Sequence, residues 1–386
     1  KLSSPGVPRL AQGDHQTGLI LSGGGARAAY QVGVLRAVGD LVPPRTRNPF
    51  PIICGTSAGA INAAGLAANS HNYRMAVRGL ERVWGNLTVE QVYRTDLFSF
   101  LRSVMRWLFS SLTTGITPVH SSLLDNTPLR RLLSLLINFQ RIQQALDIGD
   151  LRALSVSASS YSTGESMAFF QGREDLAEWD RVRRKGRRVN LDVDHLLASS
   201  ALPILFPAER LGDQYFGDGA VRQLSPLSPA LHLGANRVLV IGVSANTEEH
   251  REIHSYPSMA QVLGHVLNSV FVDTLEADVE RLERINQTVS AIPPAQRRKK
   301  DIQLREVDAL KIYPSRPLDA IAAEHIGELP RTLRFFLRAS GGTQSPGASA
   351  VSYLLFEPGF TRSLMSLGYR DAMSRSSEIR SFLALG

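Results

Sequence analysis

Pro51-Ile52-Ile53-Cys54-Gly55-Thr56-Ser57-Ala58-Gly59-Ala60-Ile61-Asn62-Ala63-Ala64 reads as an apolar strand, a sharp corner and a small-residue helix in immediate succession. A strand that ends in G-x-S-x-G and turns at once into a helix holds a serine hydroxyl out at the corner. The flanking glycines remove the Cβ atoms that would keep backbone and substrate apart. That geometry serves nucleophilic attack on an acyl carbon, which makes Ser57 the first candidate residue.

A second glycine turn stands upstream, Ser22-Gly23-Gly24-Gly25-Ala26-Arg27. An apolar strand over residues 18–22 precedes it, and a helix over 26–38 follows, with Val34, Leu35 and Val38 as its apolar positions. Bare backbone N–H groups at such a turn point along a helix N-terminus, where negative charge is stabilised. Three uses remain open on the residues alone. A phosphate cradle would show a P-loop lysine or a G-x-G-x-x-G pattern with an acid further on, and neither is present. An oxyanion hole for a tetrahedral intermediate at Ser57 would need N–H donors of this kind, with Arg27 adding positive charge. A plain tight turn is the third.

Working outward, apolar strands are expected at residues 51–55, 153–159, 167–170, 238–243 and 309–313, with a second helix over 57–68. Strands alternating with helices predict a three-layer α/β/α fold around a mostly parallel central sheet. Both glycine turns then lie at the carboxyl ends of strands, where reactive groups collect in such sheets. A long helix is expected over 261–287, with Val262, Val266, Val270, Leu275, Val279 and Leu282 on or near one stripe. The segment 97–112 mixes Phe98, Phe100, Leu101, Val104, Met105, Trp107, Leu108 and Phe109 with Arg102 and Arg106. It is either a helix packed on the core or a cap that meets lipid over the site.

Composition narrows the function class. An apolar share of 43% and a charged share of 20% describe a globular protein. No apolar run reaches the roughly 20 residues a membrane span needs, and the N-terminal residues lack a secretory pattern. The expectation is a cytoplasmic protein with peripheral contact to membrane. Cys54 is the single cysteine, which excludes an internal disulfide, and its place on a strand predicts a buried structural role. A net charge of +8 favours anionic partners. The basic residues cluster at Arg181, Arg183, Arg184, Lys185, Arg187 and Arg188, and again at Arg297, Arg298, Lys299 and Lys300. No nucleic-acid-binding motif accompanies them, so they read as solvated loop or strand edge, or as contacts to an anionic membrane. Scattered Asp, Glu and His show no metal-ligand spacing, and no cofactor or metal is expected.

A serine nucleophile needs a base. None of the nine histidines sits in a glycine-flanked loop after a strand. Asp218 does, within Tyr215-Phe216-Gly217-Asp218-Gly219-Ala220, although an Asp-Gly pair by itself usually marks only a turn.

Four stretches then resemble the signature of the patatin-like phospholipases: residues 19–27 with Val32-Gly33-Val34-Leu35, residues 55–60, residues 198–207, and Asp218-Gly219-Ala220. They stand in the family's order between about residues 17 and 244; one departure is Ala28, where many members have glycine. The resemblance implies a Ser57–Asp218 dyad without a catalytic histidine, an oxyanion hole at Gly23, Gly24 and Gly25 with Arg27, and acyl-lipid esters as substrates. Asp218 should then be partly buried and bonded to Ser57, with its pKa raised toward the working pH. The expected layout is a loose tail over 1–16, a catalytic domain over 17–299 with a cap at 85–145, and a C-terminal extension over 300–386 packed upon it. A catalytically silent lipid-binding scaffold, an acyltransferase and a nucleotide-binding protein are the competing readings.

Overall fold

The computed structural model describes residues 16–94, 122–245, 258–293, 296, 304–331, 333–334 and 348–384. The segment 97–112, the basic run 297–300 and the Gly/Ser-rich loop after residue 340 lie outside them.

Among the described residues, ten strands form one mixed sheet. They are β1 (Thr17–Leu21), β2 (Ile52–Thr56), β3 (Ala153–Ser160), β4 (Ser166–Gly172), β5 (Trp179–Arg181), β6 (Arg184–Arg188), β7 (Glu209–Leu211), β8 (Gln214–Asp218), β9 (Arg237–Ile241) and β10 (Asp308–Ile312). Their order is β10-β9-β1-β2-β3-β4-β6-β5, with β8 on β3 and β7 on β8. The half from β10 to β3 is wholly parallel, whereas β3 pairs antiparallel with both β4 and β8. Expected parallel character therefore holds in the half that carries the glycine turns. The other half, antiparallel except for the parallel pair β4–β6, uses short polar strands, β5 to β8, that show no apolar run in the sequence. The basic cluster at 181–188 forms the β5–β6 hairpin at the sheet's edge.

Side-chain alternation makes the three layers. Leu19, Leu21 and Ile53 face one apolar cluster, while Ile20, Ile52 and Cys54 face the other. Every residue of β1, β2 and β3 is buried, as a strand covered on both faces requires. Helix α1 (Ala29–Leu41), helix α2 (Ala58–Ala67) and helix α3 (Tyr73–Trp84) bury Leu35, Ala63 and Trp84 in the first cluster. The helix Thr274–Ser290 buries Leu275, Val279 and Leu282 in the second. Burial also raises the Cys54 thiol's pKa, so it stays a neutral core residue.

The long helix expected over 261–287 is interrupted. Met259–Asn268 and Thr274–Ser290 are joined by a π-helical turn, Ser269–Asp273. The extra residue rotates the buried face, so Val262 and Val266 are half exposed while Leu267 and Phe271 are buried. The chain after residue 300 contributes the edge strand β10, and its helix Pro358–Ser374 packs along α1. Among the described residues, no helix is long and apolar enough to cross a membrane.

Candidate active site

β2 ends at Thr56 and α2 begins at Ala58, leaving Ser57 at φ 55°, ψ −131°. A non-glycine residue held there stores roughly 1–3 kcal/mol of backbone strain. Two contacts hold it. The Ser57 N–H donates to the Ser199 hydroxyl at 2.9 Å, and that hydroxyl donates to the Ser157 carbonyl at 2.6 Å. A Cβ built on Gly59 would lie 2.3 Å from the Leu21 carbonyl oxygen, so only glycine lets α2 start this close to the end of β1.

The upstream turn closes over the same point. A Cβ on Gly23 would stand 3.0 Å from the Ser57 Cβ, so this backbone lies directly beside the serine. Gly25, at φ +54°, opens a short 3-10 turn, Gly25–Ala28, that runs into α1. The first N–H groups of such a run have no partners within it and face outward as donors. Gln31 donates to the Ser22 carbonyl at 2.8 Å, Asn62 to Gln31 at 3.0 Å, and Trp84 to Asn62 at 2.7 Å, a buried chain that fixes the turn from behind.

Arg27, at the end of the glycine turn, directs its guanidinium to Ser352 at 2.7 Å, Tyr353 at 3.0 Å and Asn268 at 3.2 Å. It also lies 4.0 Å over the Tyr353 ring. The 3-10 turn points this side chain at residues 349–353, a neighbour more than 300 positions away that local sequence does not reveal.

Asp218 reaches the corner by sheet topology. β3 gives one edge to β4 through Ser159, and β2 occupies the other only as far as the pair Thr56–Ser157. β8 takes up that vacated edge at Ala158–Asp218 and runs toward β2 head-on. The last residue of β8 is thereby brought against the corner that follows β2.

The carboxylate is fully buried, and its Oδ1 accepts the Ala220 N–H at 3.0 Å. Desolvation pushes its pKa up from 3.8 to about 7, opposed by the Ser57 hydroxyl and the Ala220 N–H. Oδ2 is buried without a well-formed hydrogen bond. The Ser57 hydroxyl is the neighbouring side chain that favours the charged form of Asp218.

From Ser57 an apolar cleft of about 270 Å³ runs along α2, past Ile61 and Gly65 to Asn69. Gly79, Leu133 and Phe356 also line it. At 1.5 Å per helical residue, the ten residues of α2 span about 15 Å. Among the described residues, no histidine lines this cleft: His195 bonds Asp192, His325 bonds Glu328 and Ser363, and His232 stacks on Trp179.

Residues 19–231 match the family described as patatin-like phospholipase, more than half of the chain. The protein belongs to the patatin-like phospholipase family. A curated family relative, named cGAMP-activated phospholipase, comes from Pseudomonas aeruginosa (strain BWHPSA011 / Pa011). It is 33% identical over 215 residues, which cover 55% of each chain. Among solved structures, human GIVD cytosolic phospholipase A2 bound to methyl gamma-linolenyl fluorophosphonate aligns with a TM-score of 0.42 at 14% identity, over 96% of this chain and 59% of that one. The complex that also holds terbium chloride gives 0.43 at 13% identity, with the same coverage. The chain thus spans little more than half the length of these relatives.

Three residues at this patatin-like site have roles that the local sequence does not give. Ser199, fully buried, braces the Ser57 backbone. Gln223 accepts from Thr56 at 2.7 Å and donates to Ser157 at 2.8 Å, tying the chain after Asp218 to β2 and β3. Tyr161, half exposed, stands over Gly217, and the Asp218 charge adds to burial in raising its pKa. The stretch 198–200 was visible as a family motif, but its bracing role needs the fold.

Proposed function

We propose that this protein is a serine acyl hydrolase that cleaves fatty-acyl esters of phospholipids or related lipids. The observation that carries this reading is the junction of a strained Ser57, a buried Asp218 with a pKa near 7, and an apolar cleft opening at the serine. Family membership supports lipid esters as the substrate class.

In this mechanism the Ser57 Oγ attacks the ester carbonyl carbon while its proton passes to Asp218 Oδ2. The N–H groups of Gly23, Gly24 and Gly25 receive the oxyanion; donors of that kind contribute about 10²–10³ in rate apiece. The C–O bond breaks, the leaving alkoxide takes the proton from Asp218, and the acyl group stays on Ser57. Water, losing a proton to Asp218, then attacks the acyl carbon; the bond to Ser57 Oγ breaks, Oγ takes the proton back from Asp218, and the fatty acid leaves. A carboxyl with a pKa near 7 is suited to both accept and donate at neutral pH. The cleft along α2 takes the acyl chain, and the +8 net charge favours peripheral contact with an anionic lipid surface.

Ser57→Ala should lower ester hydrolysis by about 10³-fold or more and abolish labelling by a fluorophosphonate, with the melting temperature nearly unchanged. Wild-type protein that neither turns over a fatty ester nor takes the label would leave the silent-scaffold reading standing. Turnover retained in Asp218→Asn would remove the dyad.

A further inference from the structure

A second cavity, of about 500 Å³, shares no residue with the acyl cleft. It lies between the β5–β6 hairpin, residues 225–232 and the helix Thr274–Ser290. Arg184, Arg281 and Arg305 line it together with Ser228, His232 and Asp278.

Among the described residues, Asp278 is the lone carboxylate in this lining. It accepts the Leu227 N–H at 2.9 Å and pairs with Arg281 at 3.3 Å. Arg305 donates to two neutral acceptors, the Leu231 and Ala235 carbonyls, at 2.9 and 3.0 Å. Arg184 has no ion pair with any described carboxylate within bonding distance. Three guanidinium groups therefore face one cavity against a single negative charge. The His232 ring is stacked on Trp179, with centroids 4.7 Å apart and planes 10° from parallel, so this histidine is held in one orientation at the wall. Burial lowers its pKa to about 4, and the charges of Arg181, Arg184 and Arg305 add to that shift. Positive potential is thus concentrated at this spot, and the ring stays neutral beside it.

We propose that this cavity is a second binding site, for a phosphate-bearing ligand held by Arg184, Arg281 and Arg305. Guanidinium groups match phosphate oxygens in geometry and remain charged at any working pH. The cavity is large enough for a phosphorylated small molecule, and an anionic lipid headgroup offers the same chemistry. The site is independent of turnover at Ser57, so its test needs no ester substrate.

Inorganic pyrophosphate titrated calorimetrically into the full chain at low salt probes the soluble source, and sedimentation with phosphatidylglycerol vesicles probes the lipid one. Saturable pyrophosphate binding that weakens at least tenfold in Arg184→Gln and Arg281→Gln, with unchanged melting temperature of the unliganded variants, supports the site and a soluble ligand. Vesicle binding lost in the same variants, without pyrophosphate binding, supports the site and a lipid headgroup. Absence of both, or binding equal in wild type and variants, overturns the proposal.

Discussion

Asp218→Asn should stabilise this protein in neutral solution while removing its proposed base. The Asp218 carboxyl has a pKa of about 7 when folded against an ordinary 3.8, because its charge is buried. Below pH 3.8 the group is protonated in both folded and unfolded chains and its ionisation adds nothing. As pH rises through 3.8 the unfolded chain ionises first, so stability falls steadily until about pH 7 and is level beyond. The gap of about three pH units corresponds to ~4 kcal/mol at 1.36 kcal/mol each. Asparagine keeps the oxygen that accepts the Ala220 N–H, never ionises, and can donate to the Ser57 hydroxyl. At an unfolding entropy of about 2.1 cal/mol/K per residue, ~4 kcal/mol raises the melting temperature by about 5 °C for a chain of 386 residues. Thermal unfolding of both proteins at pH 4 and pH 8 measures this directly. The two should melt together at pH 4 and separate at pH 8, with the variant higher. A difference equal at both values, or a variant less stable at pH 8, would show that the carboxyl does not bear this desolvation.

Gly79 lines the acyl cleft on α3, and a Cβ built there meets no atom within 4 Å. Gly79→Leu should therefore fold at least as well as wild type and narrow the cleft. We expect about tenfold lower kcat/KM on a palmitoyl ester with a butyryl ester unaffected, read in a chain-length series. Ser199→Ala removes the acceptor of the Ser57 N–H and the donor to Ser157, both buried, for about 1–3 kcal/mol; a lower melting temperature together with a lower kcat is expected. Arg27→Met leaves Ser352, Tyr353 and Asn268 without their shared donor, and should cost about 2 kcal/mol or more. Hydrogen exchange should quicken first in Ala348–Leu354, whose packing against the glycine turn Arg27 secures. The kcat/KM profile of wild type should rise with pH through an apparent pKa near 7, since attack needs ionised Asp218.

The amino-acid sequence by itself determined the parallel half of the sheet and the serine corner. β1, β2, β3 and β9 are apolar runs because both their faces are covered; glycines 25, 55 and 59 stand where another stretch of backbone approaches too closely for a side chain, and glycines 23 and 24 where the Phe271 and Val243 side chains do. Asp218 was legible through its flanking glycines only once the family resemblance was set beside them.

Tertiary structure alone decided the rest. Strand β8 is too short and polar to announce itself, and only β2 leaving the edge of β3 at Thr56–Ser157 lets β8 bring Asp218 to Ser57. Arg27 is charged in any reading of the chain, yet its partners lie at positions 268 and 349–353, so its direction follows from packing rather than from local pattern. The π turn at Ser269–Asp273 likewise breaks a helical stripe that looks continuous in sequence. It seats the Phe271 ring where a Cβ on Gly23 would meet it at 2.5 Å. Periodicity and glycine placement report the local chain, whereas which ends meet, and which charges lose water, depend on contacts between residues far apart in sequence.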